Sequence, residues 1–192
     1  MSKEEPIVYR ILRPIAAYPF KLIMRPKLIG TENIPKDGAC VLAGNHTKPW
    51  DCFMLFLATR RCLHFLAKKE IFKGPMKHVF SAAGIIPVDR SRKNPKALSD
   101  AIDYLKNGGI VTIFPEGTTN KTDAPLLPFK MGAVKMANDA GVPIVPFVIK
   151  GAYTLRGTRP EMHFYQPITI QGDDLAADNE DFRNFILEKV TR

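Results

Sequence analysis

A chain of 192 residues, 45% of them hydrophobic, is long enough to fold as one domain with a real core and too apolar to be a disordered tail. Three cysteines (Cys40, Cys52, Cys62) at no metal-like spacing and only four histidines argue against a zinc site and a disulfide framework, and suit reduced thiols. The formal net charge of +9 is uneven: residues 60–96 hold ten Lys/Arg against two acids, whereas residues 173–192 hold three against six. A one-sided basic surface favours an anionic partner, and without a nucleic-acid recognition motif the candidates are an anionic membrane or a phosphorylated substrate rather than nucleic acid.

Residues 6–24 mix apolar and aromatic side chains with Arg10, Arg13 and Lys21. The run from Pro14 to Phe20 is the longest without charge, far short of the roughly 20 residues that span a bilayer. On a helix the cations share one arc, the pattern of an interfacial segment, although a helix packed on the core also fits. Pro14 and Pro19 are expected to kink it into pieces.

Beyond it, short apolar runs alternate with helical stretches. Strands are expected at Ala39–Ala43, Cys62–Ala67, Ile85–Asp89, Ile110–Phe114, Ile144–Ile149 and Met162–Ile170. Helices are expected at Pro49–Thr59, Ile71–Ala83, Pro95–Lys106, Lys130–Ala140 and Glu180–Val190. The alternation predicts an α/β fold, a single domain (29–192) with a mostly parallel sheet covered by helices, preceded by an amphipathic membrane-docking segment (1–28). In such sheets ligands gather at the carboxyl ends of strands, which is where His46, Asp89-Arg90 and Glu116-Gly117-Thr118 fall.

Within Asn45-His46-Thr47-Lys48-Pro49-Trp50-Asp51, a carboxylate five residues past a loop histidine can fold back onto the ring. It would fix the tautomer and leave the other nitrogen to take a hydroxyl proton. Spacing alone does not separate this from a histidine that caps the loop. Phe114-Pro115-Glu116-Gly117-Thr118 reads equally as a turn or as a carboxylate aimed at a polyol or an amide. No nucleophile-elbow motif is present, which favours direct attack by a substrate hydroxyl.

Taken together, N-H-x-x-x-x-D at 45–51 and F-P-E-G-T at 114–118 resemble the lysophosphatidic acid acyltransferase (1-acylglycerol-3-phosphate acyltransferase, PlsC-like) family. Ala67-Lys68-Lys69-Glu70, Gly84 to Arg90, and Val142 to Pro146 look like its intervening and final blocks. The resemblance implies that His46 is the general base, Asp51 its orienting carboxylate, and that Glu116, Gly117 and Thr118 line the acceptor site. Lys68 and Arg90 would hold the acceptor phosphate, joined by Lys130, although by composition Lys68 and Arg90 also read as a solvated charged face. It further implies lysophosphatidic acid as acceptor, acyl-CoA or acyl carrier protein as co-substrate, no bound cofactor or metal, and work at the cytoplasmic face of the cell membrane. Thr119 stands where the family commonly has an arginine, and Lys121 is placed to supply that cation. The difference keeps glycerol-3-phosphate or another lysolipid open as acceptor; a non-catalytic lipid-binding protein is a third reading.

Overall fold

The computed structural model describes residues 6–89, 95–154 and 158–192. Its element order is α1 (Ile7–Met24), β1 (Lys27–Ile29), β2 (Cys40–Gly44), α2 (Asp51–Ala58), β3 (Leu63–Lys68), α3 (Met76–Ala82), β4 (Ile86–Val88), α4 (Pro95–Lys106), β5 (Ile110–Ile113), α5 (Gly132–Ala140), β6 (Ile144–Lys150), β7 (Glu161–Phe164) and α6 (Leu175–Thr191).

Seven strands form one sheet in the order β1-β7-β6-β2-β5-β3-β4. The five from β6 to β4 are mutually parallel; β7 runs antiparallel to β6, and β1 follows β7. The central strands are apolar without alternation because both of their faces are covered. Cys40, Leu42, Phe65, Val145 and Phe147 pack under α1 and α2, while Val41, Ala43, Val111, Ile144 and Val148 pack under α4, α5 and α6. The largely parallel, helix-covered α/β sheet expected from the sequence is therefore the observed architecture.

Several boundaries differ for identifiable reasons. The strand expected at Met162–Ile170 stops at Phe164; beyond it the Tyr165 N–H still donates to Pro146 O (2.9 Å) and an isolated bridge joins Ile168 to Ile144, with Pro167, which has no N–H to donate, lying before the bridge. Helix α6 starts at Leu175 rather than Glu180, because the Asp174 carboxylate caps it, accepting from the N–H groups of Ala176 (2.9 Å) and Ala177 (3.1 Å). Helix α3 begins only at Met76, after Gly74 has turned the chain at φ +56°. The boundary expected at residue 28 runs through β1, a strand the sequence reading missed, which pairs with β7 at the sheet edge.

Pro14 and Pro19 do not divide α1, which is continuous. The carbonyls they leave without a helical donor belong to Arg10 and Ile15, both exposed and open to water. Packing on α2 holds the helix together: Tyr9 meets Phe56 edge-on at 5.9 Å, Phe20 lies 5.5 Å from Phe53, and Arg13 Nε donates to Phe56 O at 2.8 Å. Opposite that face a second apolar stripe stays exposed: Ile7, Ile11, Ile15, Tyr18 and Leu22, the last 77% accessible. At ~100° per residue these five fall within an arc of roughly 80°, with Arg10 and Lys21 along one side. No helix among the described residues is long and apolar enough to cross a membrane.

The parallel strands β2, β3, β4, β5 and β6 end at one edge of the sheet, and the chain leaves that edge through tight contacts. Gly44 closes β2 so near Phe147 of β6 that a Cβ would strike the Phe147 carbonyl oxygen and ring. Gly44→Ala should therefore lower stability by about 1–3 kcal/mol, as overpacking of a core does. Thermal denaturation of the purified variant checks this.

Candidate active site

The loop after β2 is fixed before it presents any side chain. Asn45, 4% exposed, extends the β2–β6 pairing with its own amide: Nδ2 donates to Ile149 O (3.0 Å) and Oδ1 accepts from Ile149 N–H (2.7 Å). The next residue is His46, whose N–H donates to Glu116 Oε1 at 2.7 Å and whose carbonyl accepts from Asn120 N–H at 2.8 Å. Its ring stacks on Phe114 with centroids 4.0 Å apart and planes at 16°. Backbone and ring plane are thus both determined by the segment that follows β5.

The turn from His46 to Asp51 closes, a contact the spacing allowed without requiring it, with His46 Nδ1 2.9 Å from Asp51 Oδ2. Asp51 opens α2 and its side chain is wholly buried, whereas that of His46 is 15% exposed. The N–H groups of Thr47 (2.7 Å) and Lys48 (3.0 Å) also donate to Oδ2, and Thr47 Oγ1 donates to Oδ1 at 3.1 Å. A fifth donor is one the sequence reading missed: the hydroxyl of Tyr153, 2.5 Å from Oδ1. Tyr153 lies in the loop after β6, 102 residues from Asp51, where no spacing or motif ties it to the carboxylate.

A carboxylate so placed accepts from Nδ1–H and keeps the lone pair of the ring on Nε2. Nε2 makes no hydrogen bond to the described residues and so is available to a ligand proton.

Glu116 is also buried, 4% exposed, and its two oxygens are both occupied, by His46 N–H and by Leu127 N–H (2.9 Å). Burial raises its carboxyl above the usual carboxylate range, and the two amide donors oppose that rise. Its role in this geometry is to brace the His46 loop against the 114–130 segment, rather than to face an acceptor directly.

Gly117 takes φ +70°, and a Cβ there would meet Lys130 Nζ and Cε at 2.9 Å. Only glycine combines that backbone with the passage of the lysine side chain across it. Thr118 and Lys121 are exposed on the same loop. Lys68, at the end of β3, is exposed and lies 3.7 Å from Glu70 Oε1. Lys68, Gly117, Thr118, Lys121 and Lys130 thus all sit on segments leaving the carboxyl edge, while Arg90 lies outside the described residues.

Beside the site a cavity of about 380 Å³ opens between the sheet and helices α4 and α5. Leu66, Val88, Leu98, Ile113 and Met136 give it apolar walls; Lys130, Lys135 and Asp89 are its charged lining residues, and the Lys135 ammonium is paired with Asp139 at 3.0 Å. Phe114, on which the His46 ring stacks, is also among the lining residues.

Of the cysteines, Cys52 bonds its thiol to Pro49 O in the turn at 3.3 Å. Cys40 and Cys62 are buried, and burial pushes the thiols of Cys40 and Cys52 up to about 12.

An α/β sheet that presents a histidine with one nitrogen tied to a buried carboxylate and the other open defines a protein equipped to move a proton from a ligand held at its carboxyl edge. Residues 25–150, more than half of the chain, match the family model described as Acyltransferase, and the chain belongs to that family. It is 31% identical over 196 residues to the chloroplastic 1-acyl-sn-glycerol-3-phosphate acyltransferase of Brassica napus, covering 95% of this chain and 55% of that protein. It is 35% identical over 127 residues to the 1-acyl-sn-glycerol-3-phosphate acyltransferase of Bacillus subtilis (strain 168), covering 65% of this chain and 62% of that one. The chain therefore spans little more than half the length of these relatives. The crystal structure of the 1-acyl-sn-glycerophosphate (LPA) acyltransferase, PlsC, from Thermotoga maritima superposes with a TM-score of 0.77 at 25% identity, covering 95% of this chain and 78% of that one.

Replacing Glu116 by Gln keeps the volume but sets an amide NH₂ against one of two backbone donors. Glu116→Gln should cost about 1–3 kcal/mol of stability through the unsatisfied amide. By shifting the His46 loop it should also lower kcat by roughly ten- to a hundredfold. Chemical denaturation and a steady-state assay read the two effects separately.

Proposed function

We propose that the chain transfers a fatty acyl group from a thioester to the free 2-hydroxyl of 1-acyl-glycerol-3-phosphate, forming phosphatidic acid for phospholipid synthesis. The observation that carries this reading is the His46–Asp51 contact, a solvent-reachable imidazole on a sealed carboxylate, in a chain of the acyltransferase family.

The chemistry follows from the geometry. Nε2 of His46 takes the proton of the acceptor hydroxyl as its oxygen bonds to the thioester carbonyl carbon. Asp51 holds the imidazolium that forms. Collapse of the tetrahedral intermediate breaks the carbon–sulfur bond, and the departing thiolate recovers the proton from His46. The donor is acyl-CoA or acyl carrier protein, which share this thioester. Transfer from a thioester to an alcohol is already favourable, so positioning and proton removal suffice and no metal or bound cofactor is required.

Lys130 is the cation best placed for the acceptor phosphate, because it crosses Gly117 at the rim of the apolar cavity. An acyl chain inside the cavity with a phosphate at its mouth satisfies both surfaces, and the volume lies within the range of ligand sites, about 300–1,000 Å³. Lys68, Lys121 and Arg90 are further phosphate ligands in this reading, with Thr118 beside them.

His46→Ala should reduce turnover by roughly 10²–10⁴-fold while leaving vesicle binding unchanged. The test is a labelled acyl donor offered to a panel of lysolipids and glycerol-3-phosphate in liposomes. Undiminished transfer by the variant would remove the catalytic role. Preference for an acceptor other than lysophosphatidate would tie the Thr119 difference to specificity.

The exposed stripe of α1 is the surface through which the protein meets the membrane, at its cytoplasmic face, as a peripheral or monotopic protein. Apolar side chains flanked by arginine and lysine suit the boundary between acyl chains and anionic headgroups, where each well-placed cation contributes about 1 kcal/mol. Because Tyr9, Ala17 and Phe20 on the opposite face are buried, removing the helix would open the core. Point changes are the better probe. Ile11→Glu with Leu22→Glu should leave the melting temperature within a few degrees and weaken sedimentation with phosphatidylglycerol vesicles at least tenfold; sedimentation equal to that of the unmodified protein would refute this docking surface.

A further inference from the structure

We propose that Tyr153 is a positioning residue for the reaction: its hydroxyl, brought against Asp51 by the loop that follows β6, fixes the plane of the carboxylate that orients His46. The proposal rests on the reading of His46 as base and adds to it a residue outside the family-like sequence blocks.

Among the described residues, the donors to Asp51 divide by origin. His46, Thr47 and Lys48 belong to the same short loop as the carboxylate and move with it. Tyr153 alone reaches it from another element. Three of the loop donors share Oδ2, so without Tyr153 only the Thr47 hydroxyl would restrain Oδ1, and the carboxylate could turn about its Cβ–Cγ bond and carry the imidazole with it.

The phenol is itself tightly placed. Gly151, at φ +76°, turns the chain after β6 and passes so close to the Arg159 carbonyl that a Cβ would collide. Two residues later the Tyr153 hydroxyl lies 3.2 Å from Met54 Sδ of α2, and its ring lies 6.1 Å from Phe20 of α1. Burial first, and the Asp51 charge second, push the phenol well above its ordinary range, so it remains a donor at every pH at which the protein is assayed.

Other charges near the pair are few. Glu116 faces it from the segment after β5, its carboxyl raised chiefly by burial, and it makes no hydrogen bond to Tyr153 among the described residues. The Cys52 thiol of α2, pushed up to about 12, is neutral. Lys48 is exposed, and Arg13 of α1 is spent on Phe56 O at the other end of α2.

Tyr153→Phe retains the ring and its packing and removes only the hydroxyl. With one donor fewer, the negative charge of Asp51 concentrates on the side facing the imidazolium and holds its proton more strongly. The variant should keep its melting temperature within about 3 °C. KM for both substrates should stay within about twofold, kcat should fall about tenfold, and the acid limb of the kcat/KM profile should move up by about 0.5 pH unit. Titration of ¹⁵N-histidine-labelled protein by NMR should show the same upward shift for His46, with the Nδ1–H tautomer retained in the neutral ring.

A purely structural tyrosine predicts otherwise, and each of its outcomes overturns the proposal. These are unchanged kcat and acid limb, a loss of kcat that only follows a loss of melting temperature with the limb unmoved, or a variant without cooperative unfolding. The NMR titration needs no substrate. If the unmodified protein transfers no acyl group to any acceptor, the proposed function fails, yet the His46 titration still decides whether Tyr153 acts on the pair.

Discussion

Five hydrogen bonds converge on one buried carboxylate, and the rest of the site is arranged around that convergence. Asp51 is removed from water, so its charge depends on the donors supplied by Thr47, Lys48, Tyr153 and the His46 ring. Each donor constrains the others. The two backbone N–H groups fold the loop, the folded loop sets the imidazole against the carboxylate, and the hydroxyl from beyond β6 keeps the carboxylate from turning. A histidine held in this way keeps one orientation without any ligand, which in the proposed role as base would leave little reorganisation for the chemical step.

The second constraint is the pair of side chains that mimic backbone. Asn45 continues the sheet past the end of β2 by exchanging two hydrogen bonds with Ile149, and Glu116 accepts one N–H from the His46 loop and another from Leu127. Both satisfy buried main-chain groups that the end of a strand would otherwise leave without partners. Conserving polar groups in this way explains why a neutral amide and a charged carboxylate can sit inside a sheet edge otherwise built from Val, Leu, Ile and Phe. It also separates two kinds of site residue that a motif cannot tell apart: those that face a ligand and those that hold the ones that do.

The apolar surfaces divide similarly. Helix α1 has one face spent on Phe53 and Phe56 and another left in solvent, and the cavity between the sheet and helices α4 and α5 has a mostly apolar lining that includes Lys130. Each pairs hydrocarbon with positive charge, the combination that an amphipathic anion or an anionic bilayer satisfies.

Much of this was legible in the sequence, because it depends on local pattern. Unbroken apolar runs such as Cys40-Val41-Leu42-Ala43 identify strands covered on both faces. Proline at the start and glycine past the end mark α4, and a histidine and an aspartate five residues apart can meet across a single turn. Signals that depend on a single side chain were lost: the Asp174 cap moved the start of α6, and Pro167 interrupts the pairing that follows β7. Long-range partners were beyond reach altogether. That Asn45 finds Ile149, that Glu116 turns inward to the His46 amide, and that Tyr153 crosses from β6 to Asp51 follow from strand order, and strand order is decided by which faces bury against which. The sequence by itself determined the layers of the fold and offered His46 and Asp51 as a pair that a single turn could bring together. Only the tertiary structure decided what surrounds that pair, because hydrogen bonds between groups some 70 to 104 residues apart leave no periodicity to read.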